Sequence, residues 1–274
     1  MTHTTSQRYF SWFAKKMGLP ISRLVIGTNS NNILHRFMDN GTYSKEPIYG
    51  PKAEGGIAED GAKAHPSGVK ETLAPAMDIL LSSNFERLLA YLAIHIYAGS
   101  DPSTQEKLNI MNVKVTRWLK DLKTNGGFTV DKEILEAARK DFSSECIDDE
   151  EIISTIRSTY KSSFPTVELT DGTTGKGGNY ILDPHSAVGV AASLRHIHKA
   201  KTSPNVIALA TAHPAKFQNA VDLALRGAEG YSFEAVEPAQ FKEFKNMPQR
   251  KKEIGGEDVI GEMKKLMDEK ILGR

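Results

Sequence analysis

The amino-acid sequence predicts an α/β protein, with a partial doubly wound, mostly parallel sheet, flanking helices and an inserted helical subdomain. Three observations predict this class. Short apolar runs such as Val206–Ala210 are typical of strands that are covered on both faces of a parallel sheet. These runs alternate with segments whose apolar residues recur every three or four positions, as in a helix. Residues 102–163 carry helical patterns throughout, which predicts a separate insert.

A first helix and strand lie near the N-terminus. Apolar residues at helical spacing from Phe10 to Met17 predict a helix, and Leu24–Gly27 is typical of a short buried strand. A second helix is expected to begin at Ile33 and to end at Gly41, because glycine favours the backbone conformation that closes a helix. This succession is what an α/β sheet requires.

A glycine-rich segment separates this unit from the next. Residues 43–68 contain five glycines and three prolines among mixed charges, so they cannot bury enough apolar surface to order themselves. We expect an exposed insertion there. The apolar run at 76–81 predicts a strand, and Ser82 is the expected N-cap of a helix with an apolar face from Phe85 to Ile96.

The C-terminal part shows the most regular pattern. The predicted strand Val206–Ala210 leads directly into a helix with Pro214 in its first turn and Gly227 at its end. Apolar spacing from residue 255 onward predicts an amphipathic tail helix. The expected organisation is an α/β segment at 1–99, a helical insert at 100–163, a loop at 164–178 and a C-terminal α/β segment with a helical tail at 179–274.

Composition excludes several classes of partner and site. The 35 basic and 34 acidic residues give a formal net charge of +1, which supplies no broad positive field for nucleic acid or an anionic membrane. Cys146 is the one cysteine, so an internal disulfide is excluded and a reducing compartment is expected. His196 and His198 are two positions apart on a predicted helix and point to different faces, so no metal site is predicted. We expect a cytoplasmic protein that binds a small molecule or another protein.

Two segments place polar side chains where predicted strands end. Asp183 and His185 follow one apolar run, and Thr211 and His213 follow another. Open α/β sheets bind ligands at the carboxyl ends of their strands, so we expect these residues to line one cleft. The alternative is that Asp183, Thr211 and His213 only cap helices.

A third candidate segment follows the strand predicted at 76–81. Ser83, Asn84 and Arg87 lie in the first turns of the next helix. A guanidinium at this position can bind an anion through two hydrogen bonds. The alternative is a surface arginine beside a helix cap.

The segments that carry these candidates resemble the threonine synthase family. The similar segments are Phe13–Pro20, Thr28–Phe37, Thr72–Leu81, Ser82–Leu89, Tyr180–Gly189 and Ala210–Phe217. Their order along the chain matches the order in the family, the likeness is to fungal members, and it covers the C-terminal part of the enzyme. The resemblance implies the fold type II, or tryptophan synthase β-like, superfamily of pyridoxal-phosphate enzymes.

The resemblance also implies a cofactor and a reaction. In this family a pyridoxal 5′-phosphate ring lies between two α/β domains, and O-phospho-L-homoserine and water give L-threonine and phosphate, a carbon–oxygen lyase reaction of threonine biosynthesis. By similarity, the Thr211 hydroxyl lies against the pyridine nitrogen. A neutral hydroxyl does not force the ring to be fully protonated, so a milder electron sink is expected. The residues expected to line the cleft or contact substrate are Ser83, Asn84, Arg87, Asp183, His185 and His213.

Two elements of the family are not found in the sequence. The Schiff-base lysine of the family lies upstream of the matched part, and Lys120 and Lys140 precede aspartates but lie in helical patterns. Residues 3–7, which contain no glycine, stand in place of the glycine-rich loop that binds the cofactor phosphate. Asn32 stands where the family usually has aspartate. We therefore expect negligible turnover by this chain alone.

Two interpretations of function remain open. In the first, the chain is the C-terminal portion of a truncated enzyme or incomplete gene model, and it acts only when a missing N-terminal half is supplied. In the second, it is a stand-alone noncatalytic protein-binding or pseudoenzyme module. In both, unpaired strand edges and an apolar face are expected to favour pairing or self-association.

Overall fold

A computed structural model gives the fold of the chain in two units. It describes residues 11–45, 69–78, 81–98, 103–164, 167–168, 174–175, 178–200, 204–248, 254 and 258–272. The units are Met1–Phe233 and Glu234–Arg274. The larger unit contains α1 (residues 11–16), β1 (Leu24–Thr28), α2 (Ile33–Asn40), β2 (Thr42–Ser44), α3 (Ser83–Tyr97), α4 (Thr104–Ile110), α5 (Thr116–Thr124), β3 (Gly127–Thr129), α6 (Lys132–Asp141), β4 (Phe142–Cys146), α7 (Asp149–Lys161), the short strands β5 to β8 within 163–179, α8 (Pro184–Lys199) and α9 (Gln218–Leu225). The smaller unit contains α10 (Phe233–Val236), α11 (Ala239–Lys245) and α12 (Val259–Met267).

The central strands of the larger unit are β1 and β4. They pair in parallel, with Leu24 opposite Phe142 and Thr28 opposite Cys146. Because β4 lies inside the segment predicted to be wholly helical, that prediction is wrong at this point. The reason is that the strand reads Phe-Ser-Ser-Glu-Cys, too polar to show an apolar run. The α/β class itself is confirmed.

Helix α8 packs closely against β1. A Cβ atom at Gly27 would lie 3.0 Å from Cγ1 of Val188 and 3.2 Å from Cβ of Ala192, so the strand carries glycine where the helix crosses it. The helix begins at Pro184, which suits a first helical position, and Asp183 is its N-cap. The packing fixes the start of α8 beside the end of β1.

Ion pairs hold the other end of α8. Lys199 Nζ lies 2.6 Å from Oε1 of Glu145 on β4, and Arg195 Nε donates to Oε1 of Glu151 on α7 over 2.9 Å. Arg195 Nη1 also donates to the backbone oxygen of Cys146 at 2.9 Å. The helix is therefore tied to both the sheet and its neighbouring helix.

Two apolar clusters form the core of the larger unit. The first joins α2, α3, α5 and α6, with Phe37 and Tyr43 fully buried and ring centroids of both within 4.7 Å of that of Phe85. The second joins α7, α8 and α9 around Val188 and Val221. The second cluster supports the candidate site.

Three sequence predictions of local structure are wrong: the exposed position of Tyr43, the strand at 76–81 and the strand at Val206–Ala210. Tyr43, placed in the exposed insertion, is fully buried in β2, which pairs with β3; residues 46–68 lie outside the described residues. The strand predicted at 76–81 does not begin at Ala76, because Ala76 and Met77 continue a 3-10 turn that starts at Pro75, whose fixed φ suits the first turn of a helix. Residues 79 and 80 lie outside the described residues.

The strand predicted at Val206–Ala210 forms no ladder with the described residues. The Ile207 side chain is 86% exposed and that of Leu209 is 42% exposed. Its apolar character is that of a covered strand, but the described residues do not cover it. The helix predicted after it is a 3-10 turn, Pro214–Lys216, followed by α9.

Other elements agree with the sequence. Helix α2 ends at Gly41, which has a left-handed φ of 80°, and the Ser82 hydroxyl accepts from the Phe85 amide at the start of α3. The predicted tail helix is α12. Within the described part of the chain, no helix has the length and apolar character needed to cross a membrane.

A buried carboxylate ties α1 to α6. Asp141 accepts a hydrogen bond from Trp12 Nε1 over 2.8 Å and pairs with the ammonium groups of Lys15 at 2.9 Å and Lys16 at 2.8 Å. Burial by itself raises the pKa of Asp141, but hydrogen bonds from Lys16, Lys15 and Trp12 outweigh it and lower the pKa to about 2. The ionised form is therefore favoured in the folded protein.

We predict that Gly27→Ala lowers the free energy of unfolding by roughly 1–3 kcal/mol, because the added methyl group overpacks the contact with α8. Gly189→Ala is the matched control, since its nearest neighbour is the Leu209 carbonyl at 4.0 Å and alanine favours a helix. Urea unfolding of both variants measures the difference. Equal stabilities would contradict the close packing described for β1.

We predict that Asp141 contributes stability above pH of about 4 that is lost as the pH falls toward 2, because its pKa is depressed in the folded state. Asp141→Asn should lower the free energy of unfolding at neutral pH by roughly 1–3 kcal/mol and flatten its acid dependence. Denaturant titrations from pH 7 to pH 2 measure both effects. Asp39→Asn, at an exposed position, is the control, and an unchanged slope for Asp141→Asn would disprove the role.

Candidate functional site

The candidate site lies at the N-terminus of α8. The Asp183 side chain is buried, and its Oδ1 accepts from the backbone N–H groups of His185 at 2.9 Å and Ser186 at 3.3 Å. Oδ1 also lies 3.0 Å from His185 Nδ1, and Oδ2 accepts from the Ser186 hydroxyl. Asp183 thus caps the helix and also holds two side chains.

The His185 ring is committed on both nitrogens. Nε2 accepts from the backbone N–H of Ala76 over 3.0 Å, so it carries no proton. Nδ1 faces the Asp183 carboxylate and therefore carries one, which makes the neutral tautomer with the proton on Nδ1. The ring also packs against Phe217, with 4.4 Å between centroids. His185 therefore positions the 75–77 turn and is not free to transfer protons.

The pKa of Asp183 lies below its ordinary value. Burial raises it, but hydrogen bonds from the His185 and Ser186 side chains and from the His185 amide outweigh burial. The carboxylate is therefore ionised at neutral pH although it is buried.

Thr211 joins this cluster through Ser186. The Thr211 amide donates to Ser186 Oγ over 3.0 Å, and the two hydroxyl oxygens lie 3.2 Å apart. Thr211 is half-buried and lines a pocket of about 190 Å³. The pocket is lined by Ala76, Met77, His185, Thr211, Ala212, Lys216 and Phe217.

A buried amide network holds the opposite wall of this pocket. Asn29, at the end of β1, donates through Nδ2 to Thr72 Oγ1 and to Asp78 Oδ1, both at 2.7 Å. Asn31 Nδ2 donates to the same Asp78 oxygen over 2.8 Å. These bonds fix the 72–78 segment, which carries Met77 to the pocket.

The structure brings together only part of the predicted set. Asp183, His185 and Thr211 lie in one network, as the sequence indicates. His213 is exposed, and its Nδ1 accepts from the Ala215 amide at 3.2 Å, which is the capping role considered as the alternative. Of the candidates, Asp183, His185 and Thr211 therefore form the cluster, and Ser186 connects Asp183 to Thr211.

The third predicted segment lies on α3, away from the lining of this pocket. Ser83 and Arg87 are exposed, and Arg87 Nη1 donates to Asn84 Oδ1 over 3.1 Å. None of the three is among the residues that line the pocket at Thr211. Their role in binding stays a prediction.

Sequence reasoning missed four residues at the site. Ser186 connects Asp183 to Thr211, and Met77, Lys216 and Phe217 line the pocket. The signal for Ser186 was its position three residues after an N-cap, which puts it within reach of the capping side chain. Met77 had no signal, because its neighbourhood depends on the turn at 75–77.

A second, larger cavity of about 390 Å³ lies beside β1. Leu24 and Val25 line it together with residues 204–209, Gly189, Ser193 and His196 of α8, and residues 19–23. It is a groove between one edge of the strand pair and the exposed apolar segment around Ile207. Within the described part of the chain, β4 is the strand that pairs with β1.

No group of three or more histidine, cysteine, aspartate or glutamate side chains within the described residues is arranged to hold a metal ion. The pocket at Thr211 is therefore the candidate site.

Comparison with known proteins identifies the family. A model described as "Threonine synthase, C-terminal" matches residues 186–266. Threonine synthase of Saccharomyces cerevisiae is 43% identical over 250 residues, which are 90% of this chain and 41% of that protein. The Schizosaccharomyces pombe threonine synthase is 41% identical over 84% of this chain and 39% of its own length.

Solved structures agree. A crystal structure of threonine synthase from yeast superimposes with a TM-score of 0.74 at 41% identity, covering 96% of this chain and 44% of that one. A structure titled as pyridoxal-phosphate-bound threonine synthase from Brucella melitensis gives a TM-score of 0.54 at 34% identity over 79% of this chain and 35% of that one. The chain thus spans about two fifths of the length of the relatives it matches. Residues 186–266 therefore match the C-terminal domain of threonine synthase, and most of the chain is similar to fungal threonine synthases in sequence and to the yeast enzyme in structure.

Proposed function

We propose that this chain supplies the C-terminal part of a pyridoxal-phosphate-dependent threonine synthase, which converts O-phospho-L-homoserine and water to L-threonine and phosphate. A separate polypeptide segment provides the Schiff-base lysine and the loop that binds the cofactor phosphate. The observation that carries the proposal is the pocket at Thr211, with one oriented hydroxyl beside apolar walls.

The residues at this pocket fit the ring of the cofactor. A pyridine ring needs apolar contacts on its faces and one polar partner at its nitrogen, and Met77, Phe217 and Thr211 supply those kinds of contact. The volume of about 190 Å³ is below the roughly 300 Å³ of sites that enclose a whole small molecule. The pocket therefore suits the ring, and the phosphate requires a second site.

The residues of this chain bind and orient. When bound, pyridoxal phosphate supplies electron withdrawal from the substrate carbon skeleton. Thr211 would form the hydrogen bond to the ring nitrogen, and Phe217 and Met77 would exclude water from the ring. His185 holds the 75–77 turn, and Asp183 fixes His185 and Ser186.

The positions of Lys120, Lys140 and Lys216 support a Schiff-base lysine that lies in another polypeptide segment. Lys120 on α5 and Lys140 on α6 are both exposed, and neither lines the pocket. Lys216 lines the pocket but is exposed and follows Pro214 in the 3-10 turn. We assign Lys216 to binding an anionic group, because its side chain lies at the exposed rim of the pocket.

A second candidate function is binding of another polypeptide without catalysis. The groove beside β1 supports it, since an added apolar segment could occupy the groove and cover Ile207 and Leu209. The proposed occupant is an extended apolar segment from the three fifths of the enzyme that this chain does not match. Both proposed functions use this groove to bind a further polypeptide segment. They differ in whether the resulting complex catalyses the reaction.

We predict that the chain alone releases no phosphate from O-phosphohomoserine, and that co-expression with the N-terminal portion of yeast threonine synthase restores release. Thr211→Val should then lower kcat/KM by roughly 3–10-fold, because the hydrogen bond between a neutral hydroxyl and the ring nitrogen is lost. Thr124→Val, at an exposed position on α5, is the matched control. Turnover by the isolated chain would disprove the division of the site, and a stable but inactive pair would favour the noncatalytic function.

We predict that the isolated chain associates in solution through the groove beside β1. Ile207→Lys should weaken association by roughly tenfold or more, because burying one such side chain contributes about 1.5–3 kcal/mol. Ile260→Lys is the control, since Ile260 is 70% exposed on α12. Light scattering across a concentration series measures both variants, and a monodisperse monomeric wild type would contradict the prediction.

A further inference from the structure

The 75–77 turn of the pocket has no cap of its own. It is a short 3-10 helix whose N-cap residue, Ala74, has no polar side chain. Pro75 carries no N–H, and the amides that follow Ala76 donate to carbonyl groups at the start of the turn. The Ala76 N–H is therefore the first donor of the turn, and it needs an acceptor from outside.

His185 supplies this acceptor from another element. Its Nε2 accepts from the Ala76 N–H over 3.0 Å. A backbone amide can only donate, so the direction of this bond is fixed and Nε2 is unprotonated. His185 is 2% exposed, so the bond is shielded from water. An imidazole on α8 thus does for this turn what an N-cap side chain does for a helix.

The same ring contacts the other turn of the pocket. The ring centroids of His185 and Phe217 lie 4.4 Å apart, at an interplanar angle of 58°. Phe217 is the N-cap residue of α9, and it makes no side-chain cap hydrogen bond. The contact between the two rings therefore contributes to the position of the 211–217 turn. One side chain thus contacts both turns that line the pocket at Thr211.

The His185 ring itself has a fixed position. It lies in the first turn of α8, with its backbone N–H 2.9 Å and its Nδ1 3.0 Å from Oδ1 of Asp183. The helix packs closely on β1 at Gly27. The 75–77 and 211–217 turns are short, so their positions depend on contacts with neighbouring elements. A side chain that is held on a fixed helix and contacts both turns can set their separation.

We propose that His185 is a positioning residue that couples the two turns, so that Met77 and Phe217 take their places around a ligand ring together. It caps the 75–77 turn through Nε2 and holds Phe217 through its ring face. The proposal rests on the proposed function only insofar as the ligand is the ring of pyridoxal phosphate. The pocket binds such a ring tightly when both turns are in place, and loosening one turn loosens the other.

The first test needs no ligand and separates the two contacts of His185. His185→Gln places a side-chain oxygen near the position of Nε2, so it keeps an acceptor for Ala76 and loses the ring. His185→Asn places its amide near the position of Nδ1, so it keeps the bond to Asp183 and leaves Ala76 without an acceptor. NMR of the full chain measures hydrogen exchange of the Ala76 amide. We expect exchange roughly 3–10-fold faster in His185→Asn and close to the wild-type rate in His185→Gln. Equal rates in the two variants overturn the cap.

Phe217→Leu tests the coupling between the turns. It should speed exchange of the Ala76 amide by roughly threefold, because the His185 ring loses the partner that holds its face. Added to His185→Gln, which has no ring to transmit the change, Phe217→Leu should have no further effect on Ala76. The same effect in both backgrounds, or no effect in either, overturns the coupling. His95→Gln, at an exposed position on α3, is the control and should leave the rate unchanged.

The second test uses pyridoxine 5′-phosphate, which has no aldehyde and binds without a covalent bond. In the wild-type chain we expect the probe to slow exchange of both the Ala76 and the Phe217 amides, since the ring contacts both turns. His185→Asn should weaken its binding by roughly tenfold, and His185→Gln should weaken it less because the cap is kept. A purely structural role of His185 predicts equal losses in the two variants, and that result overturns the positioning role.

The two tests separate this proposal from the proposed function. The expected exchange pattern together with no binding of the probe by the wild type supports the coupling and counts against the cofactor site. Binding of the probe without the exchange pattern does the reverse. Far-UV circular dichroism checks that each variant is folded. If the His185 variants do not fold, the cap is tested in the wild type by ¹⁵N scalar coupling between the Ala76 amide nitrogen and His185 Nε2, and its absence overturns the proposal.

Discussion

The buried carboxylate of Asp183 is the interaction on which the site depends. One oxygen satisfies the first amides of α8 and fixes the His185 ring, and the other holds the Ser186 hydroxyl. A buried charge is tolerated only when its hydrogen bonds are complete, and here they come from four donors on His185 and Ser186. The loss of the Asp183 carboxylate would therefore disturb the helix start, the 75–77 turn and the Thr211 segment together.

Part of this arrangement could be predicted from the sequence. Helix α2, the Ser82 cap of α3 and the strand β1 follow from apolar spacing and cap residues, which are local properties. The pairing of Asp183 with Thr211 followed from two polar clusters at the ends of apolar runs. What these features share is that each is determined within about ten residues of chain.

The failures depend on contacts between distant segments. The polar strand β4 is a strand because β1 lies beside it, and Tyr43 is buried because β3 and α3 cover it. The prediction for Val206–Ala210 is wrong in the opposite sense. Its composition suits a covered strand, but the described residues leave Ile207 and Leu209 exposed. His213 caps a turn, and its role in ligand binding stays a prediction, because a histidine that caps a turn and one that binds a ligand have the same sequence context.

The two anchors of α8 have a consequence for motion. Its first turn is held by Asp183, its last by the ion pairs of Lys199 and Arg195, and Gly27 lets it sit directly on β1. Such a helix cannot slide or tilt without breaking several bonds at once. A ligand that enters the pocket therefore meets a wall of fixed position on the α8 side, and any adjustment to its shape falls to the 75–77 and 211–217 turns.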